Sequence, residues 1–129
     1  MEVGSKMSEK LTLIVGATTN PSRYAYFAAS RLANAGVPFI PIGIKSGEVF
    51  GEKILDLRTR PALENIHTIT LYIGTANQEE WLDYLISLTP KRIIFNPGTE
   101  NPIFFQRAKA AGIEAMHGCT LVMLGSNQY

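Results

Sequence analysis

The sequence predicts an α/β domain in which five parallel strands form a sheet between two layers of helices. Three observations support this. Short apolar, β-branched runs recur along the chain, of the kind that strands buried on both faces show. Between them lie stretches whose apolar residues return at helical spacing. The turns after the strands are small, polar and glycine-bearing, whereas two of the three helices stop at a glycine, Gly36 and Gly112. Strands alternating with helices at this interval imply right-handed crossovers, hence a Rossmann-like three-layer sandwich with a five-stranded parallel sheet.

The first unit, residues 11 to 36, organises the rest. Leu11 to Val15 reads as a buried strand, and Gly16-Ala17-Thr18-Thr19-Asn20-Pro21 as a tight turn. Tyr24, Ala28, Leu32 and Ala35 then fall along one helix face. Pro21 suits the first helical position, where its missing N–H costs nothing, and Asn20 or Ser22 can cap the same end.

The remaining elements follow in order. Val37 to Ile42 is a second strand, despite Pro38 and Pro41, with a polar exit at Ile44-Lys45-Ser46-Gly47. Residues 48 to 57 form a short extended excursion turning at Gly51, and Pro61 to Glu64 a brief helical turn. Thr68 to Ile73 is the third strand. The helix from Gln78 to Leu88 buries Trp81, Leu82, Leu85 and Ile86, with Asn77 or Thr75 as its cap and Glu79 and Glu80 suiting its dipole. Arg92 to Phe95 is the fourth strand. Asn101 caps the third helix, Pro102 opens it, and Phe104, Phe105, Ala108 and Ala111 form its stripe. Ile113 to Met116 is the fifth strand, and Cys119 to Leu124 a last apolar segment. There is no repeat or linker, so residues 10–129 form one domain behind a mobile tail, 1–9.

Composition narrows the function classes. With 129 residues, 46% hydrophobic and 18% charged, the chain can fill a substantial core. A formal charge of +1 gives no electrostatic basis for binding nucleic acid. One cysteine excludes an internal disulfide and fits a reducing, cytoplasmic setting. No apolar run approaches the roughly 20 residues a membrane span requires, and the first ten residues lack the apolar core of a signal peptide.

In a parallel sheet, ligands bind beyond the carboxyl ends of the strands. Four small polar segments, 16–21, 43–47, 74–77 and 96–101, gather on that rim. A helix start there presents unpaired N–H groups and partial positive charge, which attract phosphate. Gly16 permits the turn and a close ligand approach. Thr18, Thr19 and Asn20 add short polar groups, and Arg23 adds charge. A dinucleotide fingerprint is absent: the turn has one glycine, and the second strand leads to Ile44-Lys45 with no acid for ribose hydroxyls. Lys45 favours a phosphorylated ribose, leaving NADP and coenzyme A as nucleotide ligands.

Several stretches together, VGATTNPSR at 15–23, FIPIGIK at 39–45, GEK at 51–53, IIFNPGTEN at 93–101, AKAAGIE at 108–114 and GCTLVML at 118–124, resemble the standalone CoA-binding family. These small Rossmann-like proteins are related to the CoA-binding domain of the succinyl-CoA synthetase α subunit and of ADP-forming acyl-CoA synthetases. The resemblance implies a CoA diphosphate at Thr18, Thr19, Asn20 and Pro21, supported by Gly16, Ala17 and Arg23, with Lys45 towards the adenosine phosphate. It implies that Gly74-Thr75 and Asn96-Pro97-Gly98 border the pantetheine path. Phe95-Asn96 departs from the lead usual in the family before its Pro-Gly, so nothing follows about an acyl group.

His67 and His117 lack neighbours at metal-ligand spacing, so no metal is expected. Neither a nucleophile elbow nor a carboxylate pair is evident, and no catalytic residue is assigned. The leading expectation is a CoA or acyl-CoA binding module without chemistry of its own. The alternatives are an NADP-dependent oxidoreductase-like protein, and a non-binding interaction protein whose segment 119–124 serves as the seam of a homodimer or partner-subunit contact.

Overall fold

A six-stranded parallel sheet forms the middle layer of the computed structural model, which describes residues 6–129. Its strands are β1 (Thr12–Val15), β2 (Phe39–Gly43), β5 (Leu55–Asp56), β6 (Thr68–Leu71), β7 (Arg92–Phe95) and β8 (Glu114–His117), in the spatial order β5-β2-β1-β6-β7-β8. The sheet therefore has six strands where the sequence predicts five. The additional one, β5, pairs with β2 through two residues only, Ile42↔Leu55 and Gly43↔Asp56. A run that short shows no alternation to read. Before it, β3 (Glu48–Val49) and β4 (Glu52–Lys53) form a separate antiparallel hairpin. Its turn residues, Phe50 and Gly51, both have positive φ, 47° and 86°, as a two-residue hairpin turn that matches strand twist requires. The helical turn expected at Pro61–Glu64 is not formed; a 3-10 turn stands instead at Leu57–Thr59.

Pro41 lies inside β2 without breaking the ladder. Pro38 and Ile42 direct their carbonyls to β1, accepting from Thr12 N at 3.0 Å and Gly16 N at 2.9 Å. Pro41 alternates with them, so its missing donor faces the β5 side, where pairing starts only at Ile42.

Helix α1 (Tyr24–Asn34) starts three residues beyond Pro21, so the proline belongs to the preceding turn and not to the helix. The Asn20 side chain accepts from Ser22 N at 3.0 Å and Ser22 Oγ at 2.7 Å, which caps that turn but not the helix. The buried face is Ala25, Ala28, Ala29 and Leu32, with Tyr24 and Ala35 exposed. Ala28 and Leu32 of the expected stripe are buried, while Ala25 and Ala29 stand in place of Tyr24 and Ala35. Helix α2 (Glu79–Ser87) buries Trp81, Leu82 and Leu85 and has no side-chain cap; Thr75–Asn77 form a 3-10 turn ahead of it. Helix α3 (Pro102–Ala110) matches expectation at its start, where Asn101 Oδ1 accepts from Phe104 N at 3.2 Å. At its end Ala111 is exposed. The last apolar segment becomes helix α4 (Thr120–Gly125), which packs on α1. Of the expected tail, residues 1–5 lie outside the described residues, and Met7–Glu9 form a 3-10 turn.

Alternation along the buried strands divides the core between two faces. Leu13, Val15, Ile69, Leu71, Ile93 and Phe95 pack under α2 and α3, whereas Ile14 and Ile94 pack with α1 and α4. Phe95 meets Phe104 edge-on at 5.0 Å.

At the opposite end of the sheet from the rim, His67 Nδ1 lies 2.8 Å from Thr68 Oγ1. Burial, then the neighbouring Arg92, Lys10 and Lys91, push its pKa down to about 4 from an ordinary 6.5. The unfolded chain therefore binds the proton first as pH falls, so this contribution is complete above pH 6.5 and is lost towards pH 4. Because the ring is partly solvated, screening reduces the effect to about 1 kcal/mol. Urea unfolding at pH 7 and pH 4.5 should show a smaller loss in His67→Gln than in the parent; equal losses would refute this.

Candidate functional site

A cleft of about 830 Å³ opens beyond the carboxyl ends of β1, β2, β6 and β7. Its floor is the turn after β1. Gly16 N and Ala17 N both donate to the Ile42 carbonyl, at 2.9 and 3.0 Å, which pins the turn to the end of β2. Asn20 N donates to Thr18 Oγ1 at 3.1 Å. The amides of Thr18, Thr19, Tyr24 and Ala25 have no backbone partner among the described residues, and no side chain caps α1. The positive end of α1 therefore faces the cleft with donors to spare.

Two glycines let three strand ends converge here. A Cβ on Gly43 would stand 2.8 Å from the Ala17 carbonyl oxygen, so only hydrogen fits. Gly16 has φ +97°, and a Cβ on it would come within 3.1 Å of the Tyr72 backbone. Close packing of the protein's own backbone thus demands Gly16, in addition to any ligand approach.

Of the residues expected to bind a cofactor, Gly16, Ala17, Thr18 and Asn20 line the cleft together with Arg23 and Lys45. Gly74, Pro97 and Gly98 line its opposite wall. Thr19 and Pro21 are exposed outside it. Thr75 is exposed too, its hydroxyl donating to the Glu100 carbonyl at 2.5 Å. Asn96 lies beneath the wall, 1% exposed, with its amide fully engaged. Its Nδ2 donates to Thr70 Oγ1 at 2.8 Å and to the Leu71 carbonyl at 2.9 Å, and its Oδ1 accepts from Thr120 N at 2.9 Å.

The structure adds residues that the sequence did not single out. Leu57, Tyr72 and Trp81 supply apolar wall, with Glu80 beside them. The Tyr72 hydroxyl is buried and has no hydrogen-bond partner among the described residues, and burial pushes its pKa up to about 12. Arg60 stacks over Trp81 at 4.8 Å and donates to the Glu80 carbonyl at 3.1 Å. Gln78, 1% exposed, holds two rim segments together: Nε2 donates to the carbonyls of Ile73 and Thr99, both at 2.8 Å, and Oε1 accepts from Asn101 Nδ2 at 2.9 Å. Apolar helix spacing in residues 81–85 signalled Trp81, but as core; Gln78 carried no local signal. Among the described residues, no group of three or more His, Cys, Asp or Glu could hold a metal ion, and no helix is long and apolar enough to cross a membrane.

A sheet-end cleft under an uncapped first helix is the nucleotide-site geometry of Rossmann-like proteins. The CoA binding domain model matches residues 10–125, and the chain belongs to this CoA-binding domain family. Its structure is similar to that of an uncharacterized protein, at 50% identity and TM-score 0.89, over 93% of this chain and 98% of the other. It is also similar to cell-free ID.343 from Thermus thermophilus, at 21% identity and TM-score 0.79, over 93% and 90% of the two chains. A more distant likeness is to RSP, a Rex-family repressor solved in complex with β-NADH, at 18% identity and TM-score 0.59, over 92% and 58%. No curated protein matches the sequence at a significant level.

Proposed function

We propose that the chain binds coenzyme A in this cleft and contributes no bond-making chemistry of its own. The carrying observation is the start of α1, which opens uncapped onto the cleft with the free amide of Thr18 ahead of it. A diphosphate complements that group of donors. Lys45 stands on the β2 side for the adenosine phosphate. Gly74 and Pro97–Gly98 border the path of the pantetheine arm, which Tyr72 and Trp81 flank with apolar surface. Family membership supports the same ligand. The likeness to RSP suggests a nicotinamide dinucleotide as the competitor to test; against it stands a turn with a single glycine, Gly16, followed by Ala17-Thr18-Thr19.

Thermal denaturation with coenzyme A, acetyl-CoA, NADP and NAD distinguishes these readings. Coenzyme A at one hundred times its dissociation constant should add about 2.7 kcal/mol of stability. Lys45→Ala should weaken coenzyme A about tenfold, and dephospho-CoA hardly at all. A response to the nicotinamide cofactors alone would replace coenzyme A as the ligand, and no response to any would overturn binding.

A further inference from the structure

Carboxylates are sorted by face in this fold. Between Lys10 and Gly47 the sequence has no Asp or Glu, and none follows Glu114. The helical layer of α1 and α4 therefore carries no acid, whereas α2, across the sheet, carries Glu79, Glu80 and Asp83. Arg23, Phe27 and Arg31 stand four residues apart, which sets them along one outward ridge at α1. The first turn ties that ridge together, Phe27 N donating to the Arg23 carbonyl at 3.3 Å. All three side chains are exposed, and neither arginine has a carboxylate within ion-pair distance among the described residues.

The same layer holds most of the outlying apolar side chains. Of six large hydrophobic residues exposed among the described residues, four belong to it or to its border: Tyr24 at 71%, Phe27 at 39%, Phe50 at 45% and Val122 at 64%. Tyr24 meets Phe27 edge-on at 6.2 Å, and Phe50 packs on Tyr26 at 5.1 Å. Phe50 heads the β3–β4 turn with φ 47°, a conformation that glycine, asparagine or aspartate adopts at less cost. The hairpin carries Glu48 and Glu52 against Lys53, so the positive character belongs to α1. Aromatic rings beside unpaired arginines, on a convex helix without acid, match a surface that is apolar within and anionic outside. A second copy would set arginine against arginine with no acid to meet them. A folded partner would need a groove cut to the ridge, whereas a headgroup layer yields to single rings.

We propose that the outer face of α1 is a docking surface for anionic lipid: Tyr24 and Phe27 enter the headgroup region while Arg23 and Arg31 meet lipid phosphates. The chain lies on the bilayer and does not cross it. Arg23 and Tyr24 also line the cleft, so a docked molecule holds its ligand opening at the edge of the lipid. The inference holds for any cleft ligand. Phe27 and Arg31 lie outside the cleft and test the surface without touching the ligand site.

Sedimentation of the full chain with sucrose-loaded vesicles tests the surface, using phosphatidylcholine alone and phosphatidylcholine with about one-third phosphatidylglycerol. Binding should appear only with the anionic vesicles and be lost at about 0.5 M salt, where charges are screened within a few ångströms. Arg31→Gln should weaken it about fivefold and Phe27→Ser about tenfold. In both variants the melting temperature, with and without coenzyme A, should stay close to that of the parent. Parent protein that ignores anionic vesicles overturns the proposal, as does equal binding to neutral ones. Attachment that survives undiminished in Phe27→Ser is charge attraction alone and also overturns it. So does a concentration-dependent dimer that Phe27→Ser abolishes, which assigns the face to a second copy. If Phe27→Ser fails to fold, Arg31→Gln and the salt dependence decide.

Discussion

Asn96→Ala should destabilise the protein by about 3–4 kcal/mol, the largest loss expected from any rim position. The side chain sits at the end of β7 with every polar atom used: two donors to β6, at Thr70 Oγ1 and Leu71 O, and one acceptor to the first residue of α4, Thr120 N. All of these groups are buried, so truncation leaves a carbonyl and an N–H without partners and opens a small void. Each buried polar group left unpaired costs about 1–3 kcal/mol. The melting temperature should fall by about 10 °C or more for a domain of this size. Asn96→Asp keeps the acceptor for Thr120 but replaces the two donors with oxygen, and should be comparably damaging. A loss below about 1 kcal/mol in urea unfolding would show that the network relaxes around the gap.

The second large effect is expected at Gly43, and there it should appear in binding as well as stability. The residue has no left-handed φ, so alanine is conformationally permitted; the obstacle is purely the 2.8 Å approach of a Cβ to the Ala17 carbonyl oxygen. Both sides are backbone, so the turn after β1 must move. We expect about 1–3 kcal/mol of destabilisation, as for overpacking elsewhere, and at least a tenfold loss of coenzyme A affinity because Ala17 and Thr18 shift together. Gly74 provides the control. It lies on the same rim, and a methyl group added to it would meet nothing within 4 Å, so Gly74→Ala should change stability by no more than about 0.5 kcal/mol. Equal effects at the two glycines would count against the contact.

What the sequence made legible were the features encoded over short distances. The buried strand at 12–15, the helix at 102–110 with its Asn101 cap, and the gathering of polar turns on one rim all follow from neighbouring residues. The misreadings have a common origin. Pro21 and Asn20 have the chemistry of a helix start, yet the chain makes an intervening turn closed by Asn20 and Ser22, which delays α1 to Tyr24 and leaves that residue exposed. β5 escaped notice because two residues have no periodicity. Asn96 reads as a ligand-facing polar residue, but its partners, Thr70 and Thr120, lie on either side of it at separations that no local pattern carries. Asp56 beside Gly43 is likewise a product of strand pairing alone.

The strand order has a consequence for how the chain is made. β1 lies in the middle of the sheet and is the first of its strands in chain order, hence the first of them to be synthesised. One of its edges is met early by β2, but the other waits until β6 has been synthesised, since Thr12–Val15 pairs with Thr68–Leu71. Until then a strand meant for burial on both faces exposes a row of unpaired amides and carbonyls, the state in which nascent chains recruit holding factors or aggregate. Premature truncation between β2 and β6 should therefore yield insoluble fragments, not folded halves.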